Sequence, residues 1–396
     1  MSSPKDLAVI GGGIVGLATA YRFQRRFPDA RVRVFEKESA PGQHQSSHNS
    51  GVLHAGLHYK PGSLKARLAV EGIQQMSAFV KRFGIAHDIC GKVVVAVTEE
   101  EIPRLKDLLD RGQQNGLKGL RLLDAKGIRE IEPHAAGIAG IHVPEEGIVD
   151  YSAVVRAMAS EIEAAGGEIL RDFRVIRLDF EDGTWIIKSP KTEERADFVI
   201  NCGGLFSDRI YALTGRPRST RIVPFRGEYY KLNEEGAKLV RNLIYPVPDP
   251  QFPFLGVHYT RLIHGGIEAG PNAVLATARE GYKISDFVAG DVIDTFTFGG
   301  FWKFLAKYPG TSFYEFRRSL SKAEFCRSLQ RLVPELEPKH LSPGGSGVRA
   351  QAIAADGTLV HDFEIVRVES SLHVVSAPSP AATASLAIAD YILDQI

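Results

Sequence analysis

The chain has 396 residues, 44% of them hydrophobic and 24% charged, with a formal charge of +1. That balance is ordinary for a soluble globular protein with a sizeable core, and nothing in it argues for nucleic acid or a strongly charged membrane surface as partner. Cys90, Cys202 and Cys326 are far apart and odd in number. Neither a disulfide framework nor a Cys/His metal site is expected, and a reducing, cytoplasmic setting is.

The opening "MSSPKDLAVIGGG" runs into a strand almost at once, with no stretch resembling a signal peptide, and no segment reaches the roughly 18 apolar residues of a membrane span. "DLAVI" (6–10) is a short apolar run and reads as a buried parallel strand. "IVGLATAYRFQRRF" (14–27) has helical periodicity, and "RVRVFE" (31–36) is a second strand. Across the junction of strand and helix stand Gly11, Gly13 and Gly16 in GxGxxG spacing, with Glu36 twenty residues on and Lys37 beside it. The spacing alone is weak; strand, helix and acid in register make it a dinucleotide fingerprint. Gly11 permits the turn, Gly13 admits a pyrophosphate to the backbone, and Gly16 lets helix pack on strand. The phosphates belong on the helix N-terminus. An acid accepting from the ribose disfavours a 2′-phosphate, hence NADP.

Helices are expected at 62–84, 99–116, 151–167 and 205–215, with strands at 92–97, near 168–178 and at 184–188. "ADFVINCGG" (196–204) is a buried strand ending in the turn Gly203-Gly204, suited to close approach by an adenosine half. From 221 to 277 the pattern becomes antiparallel, interrupted by the proline-rich loop 246–256. Residues 285–331 are aromatic-rich and mostly helical. Within them "FTFGGFWKFLAKY" (296–308) reads either as a core-facing helix or as a peripheral membrane contact. A glycine-rich strand follows near 343, and "PAATASLAIADYIL" (380–393) closes the chain as a helix whose first amides, after Pro380, face a locus of developing negative charge.

The architecture expected is mixed α/β: a Rossmann-like cofactor domain (1–85, 146–220 and 340–396) with an inserted antiparallel-sheet substrate domain (86–145 and 221–339). A cofactor touched by segments so far apart suits extended FAD better than NAD.

The fingerprint, the Gly-Gly turn and the C-terminal helix resemble the FAD-dependent D-amino-acid oxidase superfamily. "HNSGVLHAGLHYKPGSLKAR", "PFRGEYYKL", "YPVPDPQFPFLGVHYTR", "GPNAVLA" and "APSPAATASLAI" resemble its L-2-hydroxyglutarate dehydrogenase/oxidase branch, nearly end to end. The resemblance implies FAD between two domains and oxidation of L-2-hydroxyglutarate to 2-oxoglutarate, with electrons passed to a quinone, an electron-transfer protein or oxygen. It implies that the loop after Glu36 wraps the pyrophosphate through Ser46, Ser47, Asn49, Ser50 and Gly51, and that His54 emerges near the flavin. Pro380, Ala381, Ala382 and Thr383 complete the cofactor contacts, held noncovalently because no cysteine follows Cys326.

The substrate is a dianion with one hydroxyl, so the site needs a base and cations. His54 and His258 are the candidate bases. Arg349 is the first choice for a carboxylate clamp, Arg261 the second; Lys65 and Tyr59 are further substrate contacts. On an ideal strand "GVHYTR" cannot point both His258 and Arg261 inward; a bulge near Thr260 would be needed. An amine oxidase of the glycine or sarcosine type and a flavin-binding protein without turnover are the competing readings.

Overall fold

The computed structural model describes residues 4–249, 255–308 and 321–396. The centre of the proline-rich loop expected at 246–256, and residues 309–320 of the aromatic segment, lie outside them.

One sheet has the strand order Glu364–Val368, Ser371–Ser376, Phe198–Asn201, Asp6–Ile10, Arg31–Phe35, Glu168–Leu170. Its neighbours are parallel except for the edge hairpin 364–376. The three central strands are almost wholly buried because helices cover them, which is why Asp6–Ile10 and Phe198–Asn201 read as largely apolar runs without alternation. The helix Ile14–Arg26 packs between Tyr151–Ala164 and Ser385–Leu393, and Leu64–Arg82 packs on the latter. Ser63 and Asp150 cap two of these helices by accepting the Ala66 and Ala153 amide N–H groups. The remaining expected helices fall at Glu101–Gln114 and Ser207–Ala212.

A second, nine-stranded sheet runs Val274–Leu275, Thr220–Leu232, Ile267–Gly270, His258–Arg261, Leu243–Pro246, Lys92–Ala96, Ala139–Val143, Arg121–Asp124, with Leu341–Ala354 along Thr220–Leu232. It is antiparallel apart from the pairing of Leu243–Pro246 with Lys92–Ala96. One expectation is corrected here. Residues from 340 on were assigned to the cofactor unit, but Leu341–Ala354 pairs with Thr220–Leu232 from Ala354 opposite Thr220 to Leu341 opposite Leu232. The long backbone ladder outweighs its nearness in sequence to the closing strand. A small sheet, Val52–Leu53 with Gly147–Val149 and His87–Asp88, joins the two large ones.

The aromatic stretch divides by helix face. Phe298, Phe301 and Phe304 are buried against Val223, Phe225, Ile353 and Leu359, while Phe296 and Trp302 are exposed.

Candidate active site

A cavity of about 1480 Å³ runs from the Gly11–Ile14 turn to the face of the nine-stranded sheet. Ordinary small-molecule pockets hold about 300–1,000 Å³, so the space suits an extended dinucleotide together with a substrate.

At one end the glycines do what their spacing requires. Gly11 sits at φ +107°, and a Cβ there would lie 2.5 Å from the Cys202 carbonyl oxygen. A Cβ on Gly16 would lie 2.0 Å from the Gly11 oxygen. Gly13 differs: its φ is −75°, and a Cβ would meet only the Ser46 hydroxyl, at 3.4 Å. Nothing in the protein forbids a side chain there; the space belongs to the cavity. The Glu36 carboxylate accepts the Gly12 N–H at 2.8 Å and the Glu38 N–H at 2.9 Å, which holds it beside the turn with lone pairs remaining. Lys37 reaches the cavity wall while paired with Glu38 and Glu280. Gly203 N–H donates to Asn201 Oδ1, fixing the second turn, and Gly204 follows in the left-handed region. Asn201 is held in turn by buried His373, whose ring burial pushes down to about 4.

The loop 46–51 is partly its own scaffold. Ser46 Oγ accepts the Ile14 N–H at 2.9 Å, and Ser50 lines the cavity beside Tyr229. Asn49 also lines it, but its side chain bridges Gln45, Ser46 and Gly51. Two expected contacts are corrected. Ser47 turns inward and donates to the Gly42 carbonyl at 2.6 Å. Gly51 is required by the strand Gly147–Val149, since its Cβ would lie 2.8 Å from the Val149 oxygen. At the other terminus Pro380, Ala381, Ala382 and Thr383 line the cavity ahead of a helix that starts at Ser385. Thr383 Oγ1 accepts the His54 N–H at 3.2 Å, tying loop to C-terminus.

Beyond the loop, His54, Tyr59, Lys65, His258 and Arg349 all line the same cavity. The His258 ring stacks on Tyr245 at 3.9 Å and its Nδ1 lies 2.9 Å from the Gly256 carbonyl oxygen. Burial pushes it down to about 3, the Gly256 carbonyl opposing and Arg349, His54 and Lys92 adding to the effect. His258 is therefore neutral near neutral pH and a feeble base. Arg349, opposite Phe225 in the long ladder, places Nη1 3.3 Å from the Asn272 carbonyl. Lys65 lies 4.8 Å over the Tyr59 ring, its pKa pushed down to about 8 by burial against the pull of Asp362. Burial also raises the Tyr59 hydroxyl well above its ordinary range, so it stays protonated.

Arg261 is corrected: it is absent from the cavity wall and pairs with Asp88. The register from His258 opposite Gly270 to Arg261 opposite Ile267 is unbroken, so no bulge turns Arg261 toward His258. Sequence reasoning missed Glu146 and Lys92. Both are buried, 2.7 Å apart, with Glu146 Oε2 3.6 Å from His54 Nδ1. A lysine opening the wholly buried strand "KVVVA" was the available signal.

A glycine turn that only a ligand requires to be bare, an acid at the end of the second strand, and a long cavity continuing to a histidine-lined pocket define a dinucleotide-dependent oxidoreductase. The chain belongs to the DAO family of FAD-dependent oxidoreductases, whose profile matches residues 6–395. It is 46% identical over 384 residues to the L-2-hydroxyglutarate dehydrogenase of Indibacter alkaliphilus, covering 97% of this chain and 96% of that one. It is 43% identical over 412 residues to the mitochondrial L-2-hydroxyglutarate dehydrogenase of Homo sapiens, covering 100% and 89%. Among solved structures, L-alpha-glycerophosphate oxidase from Mycoplasma pneumoniae with FAD bound superposes with a TM-score of 0.79 at 20% identity, covering 100% of this chain and 96% of that one. Glycine oxidase from Geobacillus kaustophilus gives 0.72 at 19%, covering 98% and 93%. At those identities the two structures speak for the fold alone.

Proposed function

We propose that this enzyme oxidises L-2-hydroxyglutarate to 2-oxoglutarate. The observation that carries the reading is that two cations, Arg349 and Lys65, line the same cavity as His54 and His258: two carboxylates and one alcohol are what such a set recognises. Relatives 42–46% identical over nearly the whole chain carry that name. Glycine and sarcosine have a single carboxylate and would leave one cation unmatched.

Gly11, Gly13, Ser46, Ser50, Glu36, Gly203, Gly204 and Ala381–Thr383 would hold FAD, and Cys202, its thiol pushed up to about 12 by burial, offers no thiolate for a covalent link. Bound FAD supplies, at N5, the acceptor for the hydride leaving C2. Arg349 clamps the carboxylate next to C2, and Lys65, charged below about pH 8, meets the distal one. His54 accepts the hydroxyl proton. His258, kept neutral, orients that hydroxyl without taking its proton.

Among the described residues no helix is long and apolar enough to cross a membrane. Ile284, Phe287, Val288, Ile293, Phe296 and Trp302 are nevertheless exposed over one stretch, with Lys283, Lys303 and Lys307 exposed among them. Such a surface favours peripheral contact with an anionic membrane and a quinone dissolved there as acceptor. Co-sedimentation with anionic vesicles, lost in Phe287→Ser/Ile293→Ser, checks it.

The activity itself is tested by anaerobic mixing of the FAD-loaded enzyme with L-2-hydroxyglutarate, its D enantiomer, glycine and sarcosine. Bleaching of the flavin by the first alone is expected. Bleaching by an amine, or by none of the four, overturns the assignment and points to an amine oxidase or to a flavoprotein without turnover.

A further inference from the structure

Glu146 and Lys92 are charged, buried and adjacent to a residue that reacts. Their side chains are 1% and 0% exposed, against 20% for His54. The backbone brings them there. Leu53 pairs with Gly147 in the small antiparallel sheet, so the residues just outside that pair, His54 and Glu146, face each other. Gly91 N–H donates to the Glu146 carbonyl at 2.9 Å, which lays Lys92 alongside. Glu146 Oε1 also accepts the Ala55 N–H at 3.2 Å, so the carboxylate is fixed relative to the histidine loop. A buried ion pair is not by itself a good means of stabilising a core, since apolar replacements commonly do as well; the position of this one beside the cavity calls for a role.

We propose that Glu146 and Lys92 are a positioning pair for His54, turning its Nδ1 toward the protein and its Nε2 toward the substrate while presenting it with no net charge. The inference rests on the reading of His54 as the base. A neutral imidazole has one N–H and one lone pair, and the partner of one nitrogen decides which is which. A carboxylate 3.6 Å from Nδ1 attracts the N–H to that nitrogen and leaves the lone pair on Nε2. Alone, that carboxylate would also favour the imidazolium, which cannot accept a proton, and would repel a dianionic substrate. Lys92 cancels both effects. Its remaining neighbours are soft: His58 Nε2 at 3.4 Å and the Tyr245 ring at 4.8 Å.

The other titratable groups around His54 do not share the task. Burial, then Lys92, hold His58 well below its ordinary range, so it is a neutral acceptor. His258 is neutral, with Arg349 beyond it. Burial raises the hydroxyls of Tyr59, Tyr151 and Tyr245, so none carries charge. Burial would raise Glu146 too, but Lys92 and then His54 hold it far below the carboxylate range. Among the described residues Glu146 is thus the carboxylate paired with His54, and Lys92 is its counter-ion.

The test follows the rate of anaerobic flavin reduction by L-2-hydroxyglutarate against pH in FAD-loaded Glu146→Gln, Lys92→Met and the double variant. An opposite charge a few ångströms away moves a titration by about one to three units. Lys92→Met leaves Glu146 unopposed and should move the acid limb up by about a unit or more. Glu146→Gln leaves Lys92 unopposed and should move it down, with the plateau rate lowered about tenfold or more because the amide no longer dictates the tautomer. The double variant should return the limb near its parental pH while keeping the lowered plateau. Shifts of the same sign, or no shift in either single variant, overturn the proposal. Should a single variant fail to retain FAD, the double variant decides: a parental plateau overturns the proposal, a lowered one supports it. His54→Asn separates the premise. If it reduces at the parental rate, the base assignment is wrong; if it loses the acid limb while neither single variant moves it, the base stands and the positioning pair does not.

Discussion

Gly13→Ala is a perturbation that the protein tolerates and its cofactor does not. With φ at −75° and the nearest atom 3.4 Å from a new Cβ, alanine meets neither strain nor clash. Gly13 is the N-cap of the helix Ile14–Arg26, where alanine is poorer than glycine, so the apoprotein should lose about 1 kcal/mol or less. In the proposed placement of FAD, however, the methyl stands where the pyrophosphate would meet the backbone. Losing one hydrogen bond to a charged group costs about 1.5–3 kcal/mol, so FAD should bind roughly 10- to 150-fold more weakly. Gly16→Ala is the contrast. Its Cβ would lie 2.0 Å from the Gly11 oxygen, and the backbone must move, so the apoprotein itself should lose about 1–3 kcal/mol. Thermal unfolding of the apoproteins and fluorescence titration with FAD measure both. Parental FAD affinity in a folded Gly13→Ala protein would refute the placement of the pyrophosphate at this turn.

His54→Asn should slow flavin reduction by about 10²–10⁴ at saturating substrate, whereas His258→Asn, removing a ring already neutral, should act mainly on KM; equal rate losses in both would refute the division of roles. Arg349→Lys keeps the charge and loses the fork, so stopped-flow titration should show substrate binding weakened about tenfold or more. His373 is pushed from 6.5 to about 4 by burial. The unfolded chain therefore takes up a proton below pH 6.5 that the folded one refuses until about pH 4, and stability is full above pH 6.5 and falls across that window. The parent should lose about 3 kcal/mol more than His373→Asn between those limits by denaturant titration.

What was legible in the sequence is what neighbouring residues decide. The strand, glycine turn, helix and Glu36 occupy about thirty consecutive residues, and each limits the next. The conflict between His258 and Arg261 was legible as well, because alternation along a strand is local; an unbroken ladder with Ile267–Gly270 resolves it against Arg261. The fate of Leu341–Ala354 was not, because its glycine-rich text fits either unit and only the partner strand, over a hundred residues earlier, chooses. Nor was the meeting of Lys92, Glu146 and His54. They come from three segments that the small sheet gathers, and Glu146 stands in a "PEEG" turn that ordinarily signals solvent.

The order of strands in the parallel sheet has a consequence for biosynthesis. Asp6–Ile10 lies beside Phe198–Asn201, which lies beside Ser371–Ser376, and the helix Ser385–Leu393 packs on Ile14–Arg26. The first glycine turn therefore leaves the ribosome hundreds of residues before the last wall of its own binding cleft. Contacts this distant in sequence form slowly, and the incomplete chain must keep its apolar strands from other partners meanwhile. FAD can be captured only once the segment through Ser385–Leu393 has been made, and it then adds its binding energy to a fold already assembled. Loss of the segment from Pro380 through the helix Ser385–Leu393 would strip one wall from that cleft while leaving both glycine turns in place.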